Sequence, residues 1–118
     1  MNSQVNPQAI INEFKKGKQE LSKLTDNYKN FGIQKETAER KYRIELRKTL
    51  INLRANKTPS NIINDIAKGD EYISKLRYER GLAENNYNTC REAINNKRLE
   101  IETLRSVLKW MGVEFNNS

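Results

Sequence analysis

Histidine is absent from the 118 residues, and there are only one cysteine, two prolines and one tryptophan. Without histidine the chain lacks the commonest general base near neutral pH and the commonest transition-metal ligand. The lone Cys90 excludes an internal disulfide framework and any CxxC site, and its place in an apolar helical seam marks it as a small buried thiol. No apolar run reaches the length of a membrane span. The opening stretch MNSQVNPQAI has neither the basic start nor the apolar core of a signal peptide, which makes a cytoplasmic location the expectation. A Gly-rich phosphate loop, a nucleophile elbow and a paired-acid motif are missing too. Asp65, Asp70 and Glu71 gather around Gly69, but their spacing matches no calcium loop and helix capping accounts for Asp70. The expectation is a non-enzymatic chain without metal or cofactor.

What the chain has is helical periodicity. From Asp70 to Met111, positions Ile73, Leu76, Arg80, Ala83, Tyr87, Cys90, Ile94, Lys97, Ile101, Leu104, Leu108 and Met111 recur at alternating intervals of three and four. This is the register of a helix that buries one seam against another helix. Apolar residues make up 36% of the chain and charged residues 31%, a composition suited to a helical hairpin that spends its apolar side chains along seams.

Taken in order, a polar arm ends at Asn6-Pro7, and Ile10, Ile11, Phe14, Leu21, Leu24, Tyr28 and Phe31 open a first helix. The pattern resumes through Ala38, Tyr42, Leu46, Leu50 and Leu53, so a helix is expected over about 8–55. Gly17 and Gly32 are weak points in it, with a bend near Gly32 expected and a break into two helices the alternative. Asn56 suits the left-handed position after a helix end, and Thr58-Pro59 resembles an N-cap before proline. A short helix over 59–68 is therefore expected, burying Ile62, Ile63 and Ile66 and stopped by Gly69, followed by a long helix over 70–111. The fold class is all-α: one domain over 1–118, a long antiparallel hairpin with a short connecting helix. Tyr78, Leu82, Leu99, Val107 and Trp110 fall outside the primary seam. They predict a self-interface, with hairpins pooling into a four-helix bundle or larger helical oligomer.

The net charge of +7 is uneven, because residues 1–57 hold 13 Lys/Arg against 6 Asp/Glu whereas residues 58–118 hold 9 of each. Arg40, Arg43, Arg47 and Arg54 share one helical stripe, with Lys41 and Lys48 beside them. Such a stripe can follow a phosphate backbone or clamp acidic side chains. The plainer reading is a solvated face, neutralised by Glu36, Glu39 and Glu45. Arg77, Arg91, Arg98 and Arg105 flank the seam of the last helix, where they are expected to pair with Glu20, Asp26, Glu36 or Glu39. Arg80 and Lys97 interrupt the seam itself, either fixing register or facing a polar cavity.

Several stretches together resemble small helical proteins encoded by phages and prophages of Gram-positive bacteria. They are Tyr42 through Leu53-Arg54, Pro59, Ile66-Ala67-Lys68-Gly69-Asp70, Leu76-Arg77-Tyr78, Ala83, Tyr87 to Ala93, and Leu104-Arg105-Ser106-Val107-Leu108-Lys109-Trp110. The resemblance implies action in an infected or lysogenic host cytoplasm but transfers no active residue. The resulting expectation is a protein that binds nucleic acid or a nucleoprotein through Arg40, Lys41, Arg43, Arg47, Lys48 and Arg54. The alternative is an inhibitor of a bacterial immune complex acting by protein contact.

Overall fold

The computed structural model describes residues 6–113 and is all-helical there. A long helix α1 (Pro7–Ala55), a short α2 (Ile63–Gly69) and a second long helix α3 (Glu71–Trp110) follow in order, and α1 packs against α3. Pro7 takes the first helical position and Asn6 caps it, accepting a 3.0 Å hydrogen bond from the Gln8 amide through Oδ1.

Contacts divide the chain into two compact units, Met1–Tyr28 with Cys90–Ser118 and Lys29–Thr89. In the first, Ile10 and Phe14 of α1 bury against Ile101 and Leu108 of α3, with Leu21, Leu104 and Met111 around them. The Cys90 thiol, buried as its seam position predicts, donates to the Leu24 carbonyl at 3.4 Å. In the second, Tyr42 buries against Ile73 and Leu76, flanked by Leu46. In each unit the α1 and α3 segments run antiparallel.

Helix α1 passes through Gly17 and Gly32 without interruption, so the break into two helices at Gly32 does not occur. Gly17 is instead a place of close approach: a Cβ there would stand 3.2 Å from Ile101 Cγ1. At the end of α1 the Asn56 amide still bonds the Asn52 carbonyl at 3.0 Å, as in a continuing helix. The left-handed position therefore falls on Lys57 (φ 59°) and not on Asn56. Lys57 N–H to Arg54 O and Thr58 N–H to Leu53 O, both 3.0 Å, complete a Schellman motif. Thr58, expected to cap the next helix, instead closes α1 through its amide. Residues 59–62 form a turn closed by the Ile62 amide on the Pro59 carbonyl at 3.2 Å, and α2 begins at Ile63, four residues later than expected. Its buried side is Ile63 and Ala67, one residue on from the face expected, and Ile62 and Ile66, expected inside, are exposed. Asp70 caps α3 as predicted, accepting from the Ile73 amide at 3.1 Å. A second Schellman motif, with Gly112 at φ 77°, ends α3.

Candidate functional site

All six cations of the predicted stripe are exposed on α1 within the 29–89 unit. At 100° per residue, Arg40, Arg43, Arg47 and Arg54 fall within about 60° of arc, with Lys41 and Lys48 to one side. Two of the six are neutralised locally. Arg43 Nε meets Glu39 Oε1 at 2.6 Å, and Lys48 Nζ lies 3.5 Å from Glu45 Oε1. Among the described residues Arg40, Lys41, Arg47 and Arg54 make no ion pair, and Glu36 joins none either. The solvated-face reading thus accounts for a third of the stripe and leaves four cations uncompensated.

Glu39 is the hinge of this charge arrangement. Its Oε2 also lies 3.5 Å from Arg80 Nη1, and the Arg80 guanidinium stands 4.2 Å from the Tyr42 ring centroid. The Arg43 hydrogen bond, with Arg80 adding its charge, holds the Glu39 carboxyl below the usual range, and the same bond pushes the Arg43 guanidinium up. Arg80, which interrupts the seam, is therefore accommodated by a carboxylate and an aromatic face. In the other unit Lys97 is treated alike. Its Nζ meets Glu20 Oε2 at 2.6 Å and Glu100 Oε2 at 3.1 Å, which lowers the Glu20 pKa and raises that of Lys97. Acids of α1 thus pair with seam cations and not with the flanking arginines: Arg105 turns to Glu102 of its own helix at 2.6 Å, and no described ion pair involves Arg77, Arg91 or Arg98.

The stripe carries an apolar component that sequence reasoning missed. Ile33, Ile44 and Ile51 are exposed to 66%, 38% and 53%, and they lie within about 40° of Arg40 around the helix. Together Ile33, Thr37, Arg40, Ile44, Arg47, Ile51 and Arg54 repeat at four and three, a second heptad seam on α1 whose members are all exposed. The signal lay in the spacing but was hidden by the apolar residues of the inner seam.

Of the predicted self-interface, Tyr78, Leu82, Leu99 and Trp110 are exposed, Trp110 to 89%. Val107 is half-buried and packs partly on the Phe14 cluster. No group of three or more His, Cys, Asp or Glu among the described residues is placed to hold a metal ion, and no described helix is long and apolar enough to cross a membrane. No family model, curated protein or solved structure matches the chain.

Proposed function

We propose that this is a non-enzymatic helical binding protein, working in the cytoplasm of a phage-infected or lysogenic bacterium, that engages nucleic acid or a nucleoprotein through the α1 face from Arg40 to Arg54. The observation that carries the reading is the set of four exposed cations, Arg40, Lys41, Arg47 and Arg54, without ion-pair partners among the described residues. Cations held in line on a helix suit a polyanion, since each phosphate they neutralise releases a counterion. The contacts are to the backbone, so binding is independent of sequence.

Titration of labelled duplex and single-stranded oligonucleotides tests this. Neutralising about four to six phosphates makes affinity fall about 10²–10³-fold between roughly 50 and 200 mM salt. Arg40→Glu combined with Arg47→Glu abolishes binding while leaving the helical circular dichroism intact, because neither residue has an ion-pair partner among the described residues. Tight binding that ignores salt or survives both substitutions refutes the reading.

A second reading has its own observation, the exposed Ile33, Ile44 and Ile51 interleaved with the arginines. Isoleucines at heptad spacing suit a partner helix that carries acids beside apolar residues, as in an inhibitor that acts on a bacterial immune complex by protein contact. Ile44→Gln with Ile51→Gln separates the two. Under this reading it abolishes nuclease-resistant capture of a host protein; under the first it leaves oligonucleotide affinity unchanged.

A further inference from the structure

The strongest unexplained feature outside the basic face is Trp110, the only tryptophan of the chain, which stands 89% exposed near the end of α3. It borders a shallow apolar groove along one side of that helix with Leu99, which is 67% exposed, and with Thr103, Ser106 and Val107. Leu99, Thr103, Ser106 and Trp110 are spaced four, three and four, so they form an outward seam of their own. Charges of opposite sign lie on one flank of it: Glu102 precedes Thr103 and Lys109 precedes Trp110.

We propose that residues 99–110 of α3 pair with the same residues of a second copy, the two helices running antiparallel about a two-fold axis. The pattern is self-complementary in that orientation. Trp110 covers the second copy's Leu99, Thr103 meets the second copy's Ser106 where small side chains let the helices approach, and Lys109 lies opposite the second copy's Glu102, each contact occurring twice. A parallel arrangement stacks Trp110 on Trp110 and sets Glu102 against Val107, losing the charge match. Lys109 has no described ion pair within its own chain, and Glu102 holds only Arg105. The inference does not depend on the anionic-partner reading, because it uses other residues on another helix. Two tryptophans bury about 150–250 Å² each. With two leucines added, the contact stays below the roughly 1,200 Å² of stable interfaces, so association is weak and concentration-dependent.

Sedimentation velocity on the full chain, with Trp110 emission followed over the same concentrations, tests the proposal. Self-association up to about 1 mM should accompany a blue shift of the emission and be lost in Trp110→Ser, whose exposed site leaves folding untouched. Orientation is read from charge. Glu102→Lys and Lys109→Glu each place like charges at both symmetric contacts and weaken self-association roughly tenfold, whereas an equimolar mixture of the two variants pairs at least as well as the parent chain. A chain that stays monomeric throughout, a dimer indifferent to Trp110→Ser, or single charge variants that self-associate as well as their mixture would overturn the proposal.

Discussion

Replacing Gly17 by alanine sets helix propensity against packing, and the structure says which wins. Alanine in a helix interior is favoured over glycine by about 0.8–1.0 kcal/mol, which alone would stabilise α1. The new Cβ would sit 3.2 Å from Ile101 Cγ1 and 3.8 Å from its Cδ1, the first inside ordinary van der Waals contact. Ile101 has little room to withdraw, being 5% exposed and clustered with Phe14 and Leu108. Overpacking a filled site costs about 1–3 kcal/mol, so the net effect of Gly17→Ala is a loss of up to about 2 kcal/mol.

Gly81 supplies the matched control, because a Cβ there meets nothing within 4 Å and Gly81→Ala gains the full propensity term of about 1 kcal/mol. Urea unfolding followed by circular dichroism, at one fixed low protein concentration, measures both. Ile101→Ala in the Gly17→Ala background should cost less than in the parent, with a coupling of at least about 0.5 kcal/mol, because it removes the Cγ1 that the new Cβ would meet. If Gly17→Ala stabilises the chain as much as Gly81→Ala, the close approach is not a constraint and the reasoning fails.

Lys57→Gly should stabilise the chain by about 1 kcal/mol in the same assay, because Lys57 adopts a left-handed conformation that glycine takes without Cβ strain. The ion pairs give stability a pH profile with two limbs. Glu20 and Glu39 have lowered folded-state pKa values, so their contribution is complete above the ordinary carboxylate value near pH 4.3 and is lost as pH falls through the lowered values. Lys97 is raised, so its contribution is complete below the ordinary lysine value near pH 10.4 and is lost as pH rises through the raised one. Thermal melts across pH should show a plateau between the limbs, and Glu20→Gln should shrink both while leaving the Glu39 share of the acid limb and the Glu100 share of the basic one; unchanged limbs would mean that the Glu20–Lys97 pair contributes nothing.

The inner seam was legible because burial on one side of a helix imposes its period on the residues: Phe14, Tyr42, Ile73, Leu76, Cys90, Ile94, Ile101 and Leu108 are all buried where the spacing put them. The start of α2 was not: Thr58-Pro59 carries a strong local start signal, yet Thr58 closes α1 and a turn over 59–62 precedes the helix, which begins at Ile63. Partners of charges were legible only in type. Glu20 and Glu39 do receive cations from α3, but which cation reaches them depends on the inner seam, and Lys97 and Arg80 stand closer to it than the flanking arginines. The off-seam residues of α3, Leu99 and Trp110 among them, were legible from their spacing, but the outward isoleucines of α1 escaped notice for a different reason. With two apolar patterns overlapping on one helix, an apolar residue on an outward face resembles one in the core, and only exposure separated Ile33, Ile44 and Ile51 from their buried neighbours.

The two outward faces differ in what they accept, and that difference joins them in one behaviour. Two copies of the α1 face would bring their uncompensated arginines together, so its partner must carry negative charge. In the proposed α3 contact Trp110 pairs with Leu99 and one acid with one base, so a second copy suits that face. A dimer formed there carries two basic α1 faces, and a polyanion long enough to touch both gains an effective concentration that a short one cannot. Trp110→Ser, which removes no charge, should therefore weaken binding of long oligonucleotides about tenfold or more while leaving short ones unaffected. The long-chain advantage should vanish on dilution below the dimer dissociation constant, even for the parent chain. Equal losses for short and long oligonucleotides in Trp110→Ser would show that Trp110 touches the polyanion itself, and the division of labour between α1 and α3 would fall.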